Sequence, residues 1–168
     1  PWTIYNWNSF LSGLAMVVED SKLSLDAVRS VLATQYPNGN IPGWRSRAGG
    51  TPDRSDPPVG AWSVLRLFQK TGDIEFLKDA YPALKKWHEY WTFRKPGGKA
   101  RRDGNDDGLL EWGSDTELVS DKITVREKNA LGRMRAAWES GQDDLPNWDD
   151  VPFNDRSGTM ALNAVDLN

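Results

Sequence analysis

The chain has 168 residues, 27% of them charged, with a net charge of -3, a mean hydropathy of -0.65 and no cysteine. That length and balance fit one globular unit with its own buried core. They exclude a disulfide framework, thiol catalysis and an overall field for nucleic acid, and no apolar run approaches the ~20 residues of a membrane-spanning helix.

The first predicted helix runs from Asn8 to about Asp20, where Phe10, Leu11, Leu14, Ala15 and Val18 recur at three- and four-residue spacing. Ser24 is the expected N-cap of a second helix carrying Leu25, Val28, Val31 and Leu32. A long loop from Tyr36 to Pro58 follows, punctuated by Pro and Gly, and structureless loops of that length are often functional. A third helix spans Val59 to about Lys70, and Asp73 caps a fourth with Leu77, Ala80, Leu84, Trp87 and Trp91 on one face. Pro82 is expected to kink or restart it, and Pro96-Gly97-Gly98 to end it. Asp103 to Gly113 reads as loop with a short strand near Glu111, Arg126 to Glu139 as a weak helix, Gly141 to Gly158 as loop, and Met160 to Leu167 as the start of another helix.

The rhythm is of helical hairpins with long loops at alternate connections, so the expected class is all-α, in one domain over residues 1–168. The chain opens at Pro1-Trp2 without a signal-peptide pattern and stops at Asn168 inside a predicted helical run, as a piece of something longer would. No compartment follows from this. The basic residues Arg94, Lys95, Lys99, Arg101 and Arg102 read as a solvated loop, and His88, the single histidine, as structural.

Nine tryptophans exceed what a core of this size needs. An indole face covers the C–H face of a pyranose while its N–H donates a hydrogen bond, so about half are expected to pack helices and the rest to be available for sugar. Trp44 with Arg45 fits either sugar stacking or anchoring of the loop. Asp103, Asn105 and Asp107, followed by Gly108, place oxygens at positions 1, 3 and 5 of a calcium-type loop, but position 12 is Ser114 and the alternative is an Asx-rich turn. Any Ca²⁺ there would be structural, pinning the loop beside Glu111.

The densest constellation is Trp138-Glu139-Ser140-Gly141-Gln142-Asp143-Asp144. As a local structure it reads as a helix end, with Glu139 capping an amide and Gly141 supplying a positive φ. It also resembles the E-S-G-x-D motif of glycoside hydrolase family 63 and its trehalase relatives. Tyr5-Asn6-Trp7-Asn8-Ser9-Phe10 resembles the family's opening segment, with Asn8 in place of its Asp. Ser55-Asp56-Pro57-Pro58 before Ala61-Trp62, Asp107 to Gly113, and Leu162 to Asn168 resemble further family segments in the same order.

The resemblance implies a partial (α/α)6 barrel, about half of that six-hairpin toroid, and an inverting mechanism on α-linked glucose or mannose. Substrates would be α-glucosides or glucosyl- and mannosylglycerate. Inversion needs two carboxyls about 6.5–9.5 Å apart with a water between them. By resemblance Asp143 is the general acid, which requires a pKa raised by burial or by a neighbouring carboxylate. The base has no match in this chain. Trp7, Asn8, Trp44, Glu111, Trp138 and Glu139 are the expected sugar-contacting residues, and Arg133 or Arg135 the expected partner of Asp143 or Asp144. One alternative is a catalytically incomplete carbohydrate-binding or interaction fragment, completed by the remaining barrel half or by self-association. A second is a trehalase.

Overall fold

The computed structural model describes residues 2–94, 100–119 and 125–168. Its first half is two helical hairpins. α1 (Asn6–Met16) packs on α2 (Ser21–Leu32) and on α3 (Gly60–Thr71), and α3 packs on α4 (Ile74–Thr92). Each buries the stripe its apolar spacing dictates: Phe10 from α1, Val28 and Val31 from α2, Val64 and Leu67 from α3, Phe76 and Trp87 from α4. Phe10 and Trp87 stack with centroids 5.7 Å apart across Gly60, where a Cβ would lie 2.7 Å from Trp87.

Local chemistry sets the boundaries. Asp20, rather than Ser24, caps α2, accepting from the Leu23 N–H at 2.8 Å. A carboxylate is a strong cap, and the earlier start frees Ser24 to donate to the Gly13 carbonyl of α1 at 2.7 Å. α3 ends at Gly72 in the left-handed region, φ 70°, and Asp73 then caps α4 through the Phe76 N–H. α4 runs unbroken through Pro82, which lies on its exposed face, where water can take the carbonyl that proline leaves unbonded. It ends at Thr92; Pro96-Gly97-Gly98 lies outside the described residues.

The expectation of an all-α chain is corrected. The protein is mainly helical but carries two small antiparallel sheets. β1 (Thr3–Tyr5) pairs with β2 (Trp44–Ser46), so the long loop is tied to the N-terminal segment. β3 (Glu111–Gly113), β4 (Phe153–Asn154) and β5 (Thr159–Asn163) form a second sheet in the order β3-β5-β4. The helix expected from Met160 is therefore a strand. A run of eight residues is too short to nucleate a helix alone, and the Gly158 turn, φ 76°, delivers it between two partners that satisfy its backbone. The weak helix before Glu139 is two short ones, α5 (Val125–Asn129) and α6 (Gly132–Glu139).

Arg101 and Arg102, expected in a solvated loop, are buried. The Arg102 guanidinium forks onto Glu139, with contacts of 2.8 and 2.9 Å, and reaches Asp115 at 3.3 Å and the Tyr90 hydroxyl at 3.2 Å. Glu139 also accepts the backbone N–H of Ser55 at 3.0 Å and of Gly113 at 2.8 Å. Arg101 pairs with Asp115, and Arg54 bridges Asp53 and Glu127. Lys95 and Lys99 lie outside the described residues.

Truncating one member of a buried pair leaves the other charge uncompensated, at a cost of roughly 3–5 kcal/mol. Glu139→Ala and Arg102→Ala are each expected to lose about that much in urea unfolding. Trp62→Ala, at a half-exposed indole on α3, should lose far less.

Candidate active site

A cavity of about 450 Å³ opens where the N-terminus of α1, the β2 loop, the segment before α3, and the ends of α5 and α6 converge. Trp7, Asn8, Trp44, Trp138 and Asp143, five of the expected site residues, line it. So do Tyr5, Arg54, Asp56, Arg126 and Glu127, which sequence reasoning did not single out as site residues.

Asp143 reaches the cavity through the helix end that precedes it. Glu139 closes α6 and Gly141 turns the chain with φ 66°. A Cβ on Gly141 would lie 2.9 Å from the Trp7 indole, so glycine is required there both by backbone and by contact. Asp143 itself is exposed at the rim, and its carboxyl makes no hydrogen bond among the described residues. Arg133 donates to the Trp148 carbonyl, and Arg135 is paired with Asp53 at 3.6 Å and Glu127 at 4.0 Å. Neither is the expected partner of Asp143 or Asp144.

The tryptophans divide by position. Trp87, Trp91, Trp112 and Trp148 are core. Trp7, Trp44 and Trp138 are half-buried in the cavity wall. Trp44 is anchored, its indole N–H donating to Glu127 at 3.0 Å. Arg45 lies over the Tyr36 ring instead of entering the cavity. Trp138 carries the Arg54 guanidinium 4.9 Å and the Arg126 guanidinium 5.4 Å from its ring centroid. These cations occupy ring surface that a sugar would otherwise stack on.

Glu139 and Glu111 do not line the cavity. Both are buried, Glu139 as the framework hub and Glu111 accepting the Gly104 N–H at 3.0 Å from the loop it closes. Glu139 follows the capping alternative, since it accepts backbone N–H groups from two other segments. The reason is steric: the last turn of α6 points Glu139 inward, toward Arg102, while Asp143 lies beyond the turn. In the loop itself, Asp103 accepts the N–H groups of Asp107 and Gly108, and Asn105 accepts that of Asp107. The amide of Asn163 donates to Asp107 at 2.9 Å and holds its carboxyl below the usual range, and Asn105 donates to the same oxygen at 3.0 Å. Asn and Asp oxygens thus close an Asx-rich turn. Among the described residues no three His, Cys, Asp or Glu side chains converge as metal ligands.

Asp56 is a cavity-lining carboxyl with altered chemistry. Burial pushes its carboxyl well above the usual carboxylate range. The Trp7 N–H, 3.4 Å away, and the nearby Arg54 pull it down without prevailing, while Glu139 and Asp143 push it further up. The signal for it in the sequence was an Asp placed directly before Pro57-Pro58 at the foot of a helix, which reads equally as a helix start.

The family model for the mannosylglycerate hydrolase MGH1-like glycoside hydrolase domain matches residues 1–161, and the chain belongs to that family. It is 29% identical to a trehalase of Bombyx mori across 98% of this chain and 30% of that protein. It is 23% identical to mannosylglycerate hydrolase MGH1 of Selaginella moellendorffii across 90% of this chain and 30% of that protein. A trehalase of Arabidopsis thaliana is 30% identical over 69% of this chain and 21% of its own length. The chain thus spans about a third or less of the length of these relatives.

A carboxyl raised on folding destabilises the native state above its unfolded pKa and costs nothing below it, where both states are protonated. Asp56→Asn is therefore expected to raise the melting temperature, with a gain that grows as pH rises above the ordinary Asp range, ~3.9, levels off once the carboxyl ionises in the native state, and vanishes below that range. Thermal scans across that range check the sign.

Proposed function

We propose that this glycoside hydrolase domain carries the general-acid half of an inverting site for α-linked glucose or mannose, within an (α/α)6 barrel of which these helices are part. The observation that carries the reading is the convergence of Trp7, Asn8, Trp44, Trp138 and Asp143 on one cavity from three separate segments. Family membership supports the reaction class, and the exposed position of Asp143 suits an acid that must reach a glycosidic oxygen. Trp7 and Trp44 offer edges and faces to a pyranose, and Asn8 a hydrogen bond to a hydroxyl.

The base comes from outside this chain in this reading. Two other carboxyls line the cavity, and neither suits the role. Glu127 is engaged by Arg54 at 2.7 Å and by the Trp44 indole. Burial pushes the Asp56 carboxyl well above the usual carboxylate range, which disfavours the ionised form a base needs. Either further sequence of the protein or a partner copy supplies the base. Trehalose is the second substrate to test, because the silkworm trehalase is similar over nearly the whole chain.

The test is turnover of α-glucosyl and α-mannosyl substrates, mannosylglycerate and trehalose, with the product anomer followed by NMR. β-Anomer from an α-substrate, reduced about 10²–10⁴-fold in Asp143→Asn, is the expected outcome. Retained anomeric configuration overturns inversion. Sugar binding without turnover supports a binding fragment that needs its other half.

We also propose a structural test for calcium at Asp103, Asn105 and Asp107. A bound Ca²⁺ has to displace the amide donors now on Asp107. Melting with Ca²⁺ and with EGTA reads this directly. A rise of several degrees that is lost in Asp103→Ala assigns the ion, and equal values leave the loop closed by its own hydrogen bonds.

A further inference from the structure

Tyr36 to Asn40 form the neck of the long loop that carries Trp44 and Arg54 to the cavity. The Tyr36 N–H donates to the Asn40 carbonyl at 2.8 Å, and the Gly39 N–H to the Tyr36 carbonyl at 2.9 Å. Gly39 is left-handed, φ 93°, and a Cβ there would lie 2.5 Å from the Lys86 carbonyl oxygen of α4, so glycine is required by backbone and by contact. The Gln35 amide pins this turn to α4, donating to the Gly39 carbonyl at 2.9 Å and to the Ala83 carbonyl at 2.8 Å. The buried amide nitrogen of Asn40 is shared among the carbonyls of Thr51, Pro52 and Arg54, at 3.3, 3.2 and 3.1 Å. The neck thus closes the loop on itself.

Asn38 stands at the exposed tip of this neck. It is the only asparagine in the chain followed by glycine. Its Oδ1 accepts the Asn40 N–H at 3.1 Å, and its Nδ2 makes no hydrogen bond among the described residues. Gly39 has no Cβ to keep its own backbone nitrogen away from the Asn38 side chain.

We propose that Asn38 is a site of spontaneous deamidation, gated by opening of the Tyr36–Asn40 turn. The Gly39 nitrogen attacks the Asn38 Cγ. A Cγ–N bond forms to Gly39, the Cγ–Nδ2 bond breaks, and ammonia leaves with the proton that the Gly39 N–H gives up. Water then opens the cyclic imide at either carbonyl, leaving aspartate or isoaspartate. The closed turn opposes this step, because the Gly39 N–H is committed to Tyr36 and the Asn38 amide oxygen to Asn40. The reaction therefore draws on the locally open form, whose population the neck contacts set. The two products act differently. Aspartate keeps the backbone path and adds a charge at an exposed tip. Isoaspartate lengthens the backbone by one carbon, so Gly39 cannot keep both its bond to Tyr36 and its packing against Lys86. Asn40 moves with it and loosens its hold on the Arg54 carbonyl. This chemistry is independent of the glycosidase reading and bears on the loop that reading uses.

The experiment is incubation of the whole chain at mildly acidic and mildly alkaline pH. Mass spectrometry follows the tryptic peptide of residues 30–45, and enzymatic methylation detects isoaspartate. Asn38 is expected to deamidate ahead of every other asparagine, and faster at alkaline pH, where the attacking amide loses its proton more readily. Gln35→Ala, which removes the pin to α4, should speed the reaction roughly tenfold. Asn38→Asp should melt close to the wild type. The deamidated fraction, separated by ion exchange and carrying isoaspartate, should melt below both. An intact Asn38 in a chain that deamidates elsewhere overturns the site. An unchanged rate in a Gln35→Ala variant shown to be folded by circular dichroism overturns the gate. A deamidated fraction that melts with Asn38→Asp overturns the effect on the neck.

Discussion

The fork between Arg102 and Glu139 is the constraint on which the rest of this structure depends. Both side chains are withdrawn from water. Burial of that kind is costly, and it is tolerated because nearly every polar atom of the pair is used. Glu139 takes two guanidinium contacts and two backbone N–H groups, and Arg102 adds Asp115 and the Tyr90 hydroxyl. One carboxylate thereby holds the segment before α3, the strand β3 and the end of α6 at fixed positions. Asp56 follows Ser55 by one residue, and Asp143 follows Glu139 by four. The framework pair thus sets where two of the cavity carboxyls start, although neither of its members faces the cavity.

The same economy governs the cavity wall. Arg54 joins Asp53 and Glu127 beneath it and also lies against Trp138. Glu127 in turn orients Trp44. The wall is therefore built from side chains whose polar atoms are already committed to one another, which makes it rigid. Among the described residues, Asp143 at the rim and the exposed amide of Asn8 make no hydrogen bond, and Asp56 accepts from the Trp7 N–H. Preorganised walls with a few unspent polar groups bind ligands with little ordering cost. Gly141 is part of the same device: its left-handed backbone lets the chain pass close to Trp7, so the acid-bearing turn and the tryptophan of α1 share one cavity.

The α-helical hairpins were legible because their signals are local. Apolar residues at helical spacing, Asp73 before α4 and Gly72 after α3 each act within a few residues of themselves. Trp7, Asn8, Trp138 and Asp143 were legible as site candidates because they stand in motifs resembling those of a known family, and Trp44 because it lies in the long loop; all five line the cavity. Glu139 stands in the same motif and was read as a pocket residue, yet it faces inward. Sequence distance along a motif does not say which way the last turn of a helix points its side chains. Arg101 and Arg102 were misread for a related reason, since a basic run looks solvated until its distant carboxylate partners, Asp115 and Glu139, are known.

The sequence by itself determined the helix-rich class, the Asp73 cap, the Gly141 turn and five of the residues that line the cavity. Those depend on chemistry acting over three or four residues. Only the tertiary structure decided that Met160 to Asn163 is a strand, because the distant β3 and the neighbouring β4 supply its backbone partners. It alone decided that the Asp56 carboxyl is pushed above the usual range, because burial does this first and Glu139 and Asp143 add to it. The cost of desolvating a charge, and the partners that offset it, are set by groups brought together across 49 and 84 residues of chain, separations over which no local pattern acts.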